Sequence, residues 1–208
     1  MIVTVAVTGA GPAWANRSVQ AGELKWVWGD EGAPPNYANY DSTFYTYCVD
    51  LLNAVTASAD VDVKSTNLLT VSGVPDAGGK AAWLFNAFAP AIRTQASSTP
   101  DQMLDARQNA AALQVAIWEA MLDSSNDLVN GTFRLNTTGA IKTKAMNYLS
   151  ALYTGGSNGY NTSVATWFDT DGSQDQMSLP GVPEPGSLLL LGTGLAALVV
   201  VRRRRQRR

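Results

Sequence analysis

The chain has 208 residues, of which 46% are hydrophobic and 15% are charged. Its formal net charge is −2, but six of the 15 basic residues lie within residues 202–208, so nine basic residues face 17 acidic ones elsewhere. Such an acidic body excludes a nucleic-acid-binding protein, because phosphate backbones are bound by clustered lysine and arginine. The absence of histidine excludes Ser-His-Asp and Cys-His catalysis and removes the commonest zinc ligand. We expect no metal and no cofactor.

The beginning of the chain has the pattern of β-strands. Val3, Val5 and Val7 alternate with other residues, and valine, tryptophan and other β-branched or aromatic residues are concentrated at 19–28 and 43–49. These patterns favour strands. Shorter strands are predicted at residues 60–63, 67–71, 131–136 and 164–168. The glycine- and proline-containing stretch between the first long runs predicts a loop.

The middle of the chain favours helices, predicted at residues 80–92, 101–122 and 138–153. Thr99 is a good N-cap for the second and longest helix, and Pro100 suits its first turn. Residues 174–179 are interpreted as a linker to the C-terminal tail. The sequence therefore predicts an α+β domain over residues 1–179, with a strand-rich N-terminal part and a helical middle.

Residues 180–208 form a second unit with three features in order. Pro183, Glu184 and Pro185 precede an uncharged apolar span at residues 186–201, and a basic tail follows at residues 202–208. The span has 16 residues, so a helix of about 24 Å is expected, which can cross a bilayer with local thinning. Four arginines after the span are expected to stop its transfer across the membrane and to keep the C-terminus in the cytoplasm: Arg202, Arg203, Arg204 and Arg205. The domain at residues 1–179 is then extracytoplasmic.

This tail resembles the PEP-CTERM sorting signal of Gram-negative bacteria. The resemblance implies an exosortase as partner and transient or retained anchoring in the inner membrane by a C-terminal transmembrane helix. It also implies that Pro183, Glu184 and Pro185 are recognised, and that the protein then reaches the cell surface or the medium. Such proteins carry an N-terminal signal peptide. The first 15 residues lack a basic start, and we expect the true start to lie upstream.

Two short strings carry a second resemblance. Tyr47-Cys48-Val49-Asp50 ends a predicted strand, and Gln114-Val115-Ala116-Ile117-Trp118 lies inside the longest predicted helix. Together they resemble the Cys–Gln thioester-forming domain of bacterial surface proteins, also called the TQXA domain. The resemblance implies a thioester cross-link between Cys48 and Gln114, flanked by Tyr47, Asp50 and Trp118. Leu113 stands where the family usually has threonine.

The residue types suit that chemistry. A cysteine sulfur attacks the carboxamide carbon of a glutamine, ammonia leaves, and the thioester is an activated acyl group. An amine-bearing protein or an exopolysaccharide matrix would then be bound covalently, which suits adhesion and biofilm formation. The competing interpretations are that Cys48 is an inert buried thiol and that Gln114 is an ordinary helix residue.

Two other functions stay open. The first is a non-covalent, structural matrix-binding protein, whose sugar-stacking platform would use five aromatic residues: Trp26, Trp28, Tyr37, Tyr40 and Tyr45. The second is an enzyme with an acid/base pair among Asp50, Glu119 and Asp123. These carboxylates have no recognisable spacing, so we expect that the protein is not an enzyme.

Overall fold

A computed structural model describes residues 1–10, 14–27, 43–123, 125–155 and 160–179. The strands in these ranges are β1 (Ile2–Val7), β2 (Arg17–Gln20), β3 (Leu24–Val27), β4 (Thr43–Cys48), β5 (Val61–Ser65), β6 (Phe133–Leu135), β7 (Thr166–Thr170) and β8 (Gln176–Ser178). The helices are α1 (Ala77–Arg93), α2 (Pro100–Leu122) and α3 (Ala140–Gly155). A strand-rich start and a helical middle confirm the α+β class. The predicted transmembrane helix at 186–201 lies outside the described residues.

The strands form two antiparallel sheets. The three-stranded sheet has the order β2-β1-β6, and the five-stranded sheet has the order β3-β4-β8-β7-β5. The interpretation of residues 174–179 as a linker is therefore wrong, because β8 lies between β4 and β7 and all three of its residues are buried. The polar residues of β8 are typical of an exposed segment. In the structure they are buried, because hydrogen bonds within the protein replace their hydrogen bonds to water.

Two predicted strands differ from the structure. The run at 19–28 is divided between the two sheets, as β2 and β3, and the chain turns between them at Gly22 with a φ of +135°. That conformation is accessible to glycine and rare for other residues. The prediction at 67–71 is wrong, because Thr66–Leu68 forms a 3₁₀ turn. Thr66 exchanges backbone and side-chain hydrogen bonds with Ala165, and the chain then turns toward α1.

Helix α2 is the centre of the core. It begins with a capping box, in which Thr99 Oγ1 accepts from the Gln102 N–H and Gln102 Oε1 accepts from the Thr99 N–H. Every residue from 111 to 121 is buried, which is typical of a helix that is covered on all sides. It packs against α1, α3, β4 and β6. A side chain on this part of α2 therefore has a fixed position relative to both sheets.

Helix α1 begins three residues before its predicted start, at Ala77, because Gly78 and Gly79 permit a close approach of backbones. A Cβ atom on Gly78 would lie 1.9 Å from the carbonyl oxygen of Thr66, and one on Gly79 would lie 2.4 Å from that of Tyr160. Both glycines precede the predicted start of this helix, and their lack of a side chain is what permits the packing.

We expect Gly78→Ala to lower the free energy of unfolding by more than about 2 kcal/mol, because the new methyl group overpacks against rigid backbone. Chemical denaturation measures the change. Gly155→Ala is the matched control, since a Cβ at that helix end meets nothing within 4 Å. Equal denaturation midpoints for the two variants would contradict the close approach.

Candidate functional site

Cys48 lies where β4 ends, next to the central strand β8 of the five-stranded sheet. It pairs with Gln176 of β8, and Tyr47 pairs with Met177. Cys48 is 4% exposed and is a free thiol. Tyr47 is fully buried, with its ring 5.8 Å from that of Phe85 in an edge-to-face contact. The strand therefore presents the sulfur from a rigid part of the core.

Gln114 reaches Cys48 from α2, but it binds the backbone rather than the sulfur. Its Oε1 accepts a hydrogen bond from the Cys48 N–H at 2.8 Å, and its Nε2 donates to the Cys48 carbonyl oxygen at 2.8 Å. Gln114 is fully buried. Its carboxamide thus pairs with Cys48 as a neighbouring strand would, and both of its polar atoms are engaged.

Two other glutamines contact the sulfur itself. Oε1 of Gln174 lies 2.8 Å from the Cys48 Sγ, which donates to it, and Nε2 of Gln176 lies 3.3 Å from the same sulfur and donates to it. Both side chains are more than 90% buried. The sequence analysis did not identify them as site residues. Their spacing of two residues was a usable signal, because it places both side chains on one face of an extended segment.

Gln176 has a fixed orientation. Its Oε1 accepts from the Thr46 hydroxyl at 2.9 Å, and its Nε2 also donates to the carbonyl oxygen of Gln174 at 3.2 Å. These bonds assign which end of its carboxamide faces the sulfur. Gln176 therefore supplies a hydrogen-bond donor to Cys48 Sγ.

The turn that holds Gln174 is fixed by the backbone on both sides. The N–H of Gln174 donates to the carbonyl oxygen of Ala54, and the N–H of Val49 donates to that of Asp175. The Asp175 carboxylate accepts from the Thr170 N–H and from the indole N–H of Trp167. A short segment that connects two strands is thereby held against the end of β4, with Gln174 at the sulfur.

Burial raises the pKa of the Cys48 thiol to about 12. The hydrogen bond from Gln176 opposes this shift, and the charge of Asp50 adds to it. Asp50 itself accepts from the Leu52 N–H and the Asn53 side chain, so it shapes the turn after β4. The sulfur is consequently a neutral thiol at neutral pH.

A cavity of about 740 Å³ opens beside the sulfur. Cys48, Gln174 and Trp118 are among its lining residues, together with residues from 14–24, the start of the turn after β4, and α1 and α2. Trp118 is one helical turn after Gln114 and packs against Phe133 of β6. An external molecule can therefore approach the Cys48–Gln174 pair from this side.

The carboxylates considered for acid/base catalysis do not line that cavity. Asp123 accepts from the N–H groups of Ser125 and Thr132 and so supports the loop after α2. Glu119 is fully buried, with one oxygen accepting from the Ser125 hydroxyl and the other without a partner. Burial, reinforced by Asp123, raises the pKa of Glu119 to about 8. Their contacts are structural ones.

Of the sequence-predicted flanking residues, the structure brings Tyr47, Asp50 and Trp118 to the surroundings of Cys48. Trp26 lies in β3 and Tyr45 lies under the Arg93 guanidinium, whereas Trp28, Tyr37 and Tyr40 lie outside the described residues. Pro183, Glu184, Pro185 and residues 202–205 also lie outside them. Within the described ranges, no group of three or more potential metal ligands is found, and no helix is long and apolar enough to cross a membrane.

Comparison with known proteins bears on the tail alone. The PEP-CTERM protein-sorting motif matches residues 181–205. No curated protein matches the chain significantly, and no solved structure does. The motif identifies the tail as a sorting signal and indicates a protein that is exported, sorted at a membrane and processed by an exosortase.

We expect Gln114→Glu to destabilise the fold at neutral pH by about 3 kcal/mol or more, because a buried acceptor replaces the donor that faces the Cys48 carbonyl oxygen. A protonated carboxyl can donate, so stability should recover partly as the pH is lowered toward 4.5. Thermal unfolding at both pH values measures this. Gln108→Glu, at a partly exposed position of the same helix, is the control, and an equal response of the two variants would contradict the pairing.

We expect Glu119 to make stability pH-dependent between its ordinary pKa of 4.5 and its folded value of about 8. The pKa is raised on folding, so the stabilisation is complete below pH 4.5 and is lost as the pH rises through 8. The loss is at most a few kcal/mol, since one pKa unit corresponds to about 1.4 kcal/mol. Denaturant unfolding from pH 5 to pH 8 should show this decline, and Glu119→Gln should flatten it. An unchanged slope in the variant would refute the assignment to Glu119.

Proposed function

We propose that the body of this exported protein forms an internal thioester between Cys48 and Gln174 and uses it for covalent attachment to a surface or matrix partner. The observation that supports this most directly is the 2.8 Å contact between the Cys48 sulfur and the carbonyl oxygen of the Gln174 side chain. Since that oxygen is bonded to the carboxamide carbon, the electrophilic carbon lies close to the sulfur, and such proximity favours reaction between the two groups.

The hydrogen bonds favour Gln174 over Gln114 as the acyl donor. Turning the Gln114 carboxamide toward the sulfur would break both of its bonds to Cys48. Two buried backbone groups would then be unsatisfied, at a cost of about 1–3 kcal/mol each. The Gln174 amide nitrogen makes no hydrogen bond to another described residue, so its departure breaks no bond found within that part of the structure. We therefore assign Gln114 a positioning role.

Gln176 is disfavoured for a related reason. Its carbonyl oxygen is bound to Thr46, and its nitrogen faces the sulfur. In this orientation Gln176 donates a hydrogen bond to the sulfur, and its carboxamide nitrogen, not its carbonyl group, faces the sulfur. Attack of the sulfur on the Gln176 carboxamide carbon is therefore disfavoured. The three glutamines thus have separate roles: Gln114 holds the Cys48 backbone, Gln176 orients the sulfur, and Gln174 supplies the acyl group.

The proposed step balances without a cofactor. The Cys48 sulfur forms a bond to the Gln174 carboxamide carbon, the carbon–nitrogen bond breaks, and ammonia leaves with the thiol proton. Cys48 is 4% exposed, and this burial limits the access of water to the thioester. A nucleophile then forms a stable bond to Gln174 and Cys48 regains its proton. Gln174 is consumed, so the protein is a reactant and not an enzyme.

We expect the full chain, purified in mild detergent, to have a mass one ammonia below the sequence value. Isotopically labelled methylamine should add to it, and proteolysis with tandem mass spectrometry should locate the label on Gln174. Cys48→Ala and Gln174→Glu should each abolish the ammonia loss, whereas Gln108→Glu should retain it.

The position of the label distinguishes the alternatives. A methylamide on Gln114 would establish the sequence-predicted pair and refute Gln174, and one on Gln176 would also refute it. A full sequence mass with a titratable thiol would leave Cys48 as an inert core residue and would favour non-covalent matrix binding.

A further inference from the structure

The cavity beside Cys48 is lined by more basic than acidic residues, although the body of the protein is acidic. Among its described lining residues are three guanidinium groups, from Arg17, Arg93 and Arg107, and one carboxylate, from Glu23. Arg93 binds Glu23 through two hydrogen bonds of 2.8 and 3.1 Å. Two positive charges are therefore left without a carboxylate partner within the described lining.

Those two arginines are accessible. Arg17 is exposed and lies over the ring of Trp14, with its guanidinium carbon 4.3 Å from the ring centroid. Arg107 is exposed on α2 and makes no ion pair among the described residues. Guanidinium groups bind carboxylates through paired hydrogen bonds. Both therefore suit an anionic ligand at the entrance to the thioester pair.

The size of the cavity bears on the kind of ligand that it can hold. A volume of about 740 Å³ is that of a site for a small organic molecule or a few sugar rings. The guanidinium donors are matched by a ligand that is rich in oxygen acceptors.

We propose that the acceptor of the Gln174 acyl group is a hydroxyl group of an acidic polysaccharide, whose carboxylates are bound by Arg17 and Arg107; this inference rests on the proposed thioester. A lysine side chain is the wrong acceptor for this cavity, because its ammonium group meets an excess of positive charge and must lose a proton to react.

The transfer balances in the same way as the first step. The sugar oxygen forms a bond to the Gln174 acyl carbon, the carbon–sulfur bond breaks, and the hydroxyl proton passes to the Cys48 sulfur. The product is an ester. Hydroxylamine cleaves an ester of this kind and leaves a hydroxamate on Gln174, whereas the amide formed by a lysine resists it, so the two acceptors give different products.

The test uses the full chain in mild detergent with three probes: oligogalacturonate, the same oligosaccharide with its carboxylates methyl-esterified, and N-acetyl-lysine amide. We expect an adduct on Gln174 that hydroxylamine removes, forming about three- to fivefold faster with the acidic oligosaccharide than with its ester. This preference should decrease as salt is raised toward 0.5 M, about where screening becomes strong.

The variants test the two arginines. Arg107→Gln, alone and with Arg17→Gln, should lower the ratio of the acidic to the esterified rate toward one. Lys142→Gln removes a positive charge from α3, outside the cavity, and should leave the ratio unchanged. Thermal unfolding confirms that each variant is folded. A general loss of reactivity lowers the rates with both oligosaccharides equally, so it leaves their ratio unchanged.

Each result has a distinct meaning. Equal rates for the two oligosaccharides, or a faster hydroxylamine-resistant adduct with N-acetyl-lysine amide, would overturn the acidic-polysaccharide acceptor while methylamine labelling of Gln174 still supported the thioester. A chain with no ammonia loss and no methylamine label would overturn both proposals together.

Discussion

The arrangement around Cys48 depends on the carboxamide of Gln114. It lies on the most deeply buried part of α2 and supplies a donor and an acceptor to the backbone at the end of β4. In a core where water cannot compensate a missing partner, this pair of bonds fixes the strand relative to the helix. The position of the sulfur, the insertion of β8 beside it, and the packing of Trp118 near the cavity all rely on that connection.

The site is built from segments that are far apart in sequence. Cys48 lies on β4, Gln114 lies on α2, and Gln174 lies in the turn before β8. Each of these segments is held in place by hydrogen bonds that do not involve the sulfur. Thr46 and Asp175 are examples, since they orient Gln176 and the turn that carries Gln174. Such supporting hydrogen bonds hold the reacting groups in place before any bond between them forms. The burial that this requires also keeps the thiol protonated.

The resemblance to the thioester-forming domain implied that Cys48 and Gln114 lie together, and in the structure the Gln114 side chain contacts the Cys48 backbone. The sequence also predicted the three helices, because the spacing of their apolar residues is regular over many residues. It did not predict the role of Gln174 and Gln176. Their segment is short and polar, and only the tertiary structure shows that Cys48 contacts both side chains and that Thr46 binds the side chain of Gln176. Gly78 and Gly79 lie outside the predicted helix for a related reason, because close backbone contact leaves no local pattern.

The location of Gln174 near the end of the domain has a mechanical consequence. Only nine positions separate it from Pro183 of the sorting signal. If an acceptor is bonded to Gln174 while the tail is held at the membrane, tension follows the few residues of β8 and bypasses α1, α2 and α3. β8 is hydrogen-bonded on both sides, to β4 and β7, but the covalent backbone of β8 carries the tension between its two ends. The attachment would then bear force with the helical core unloaded.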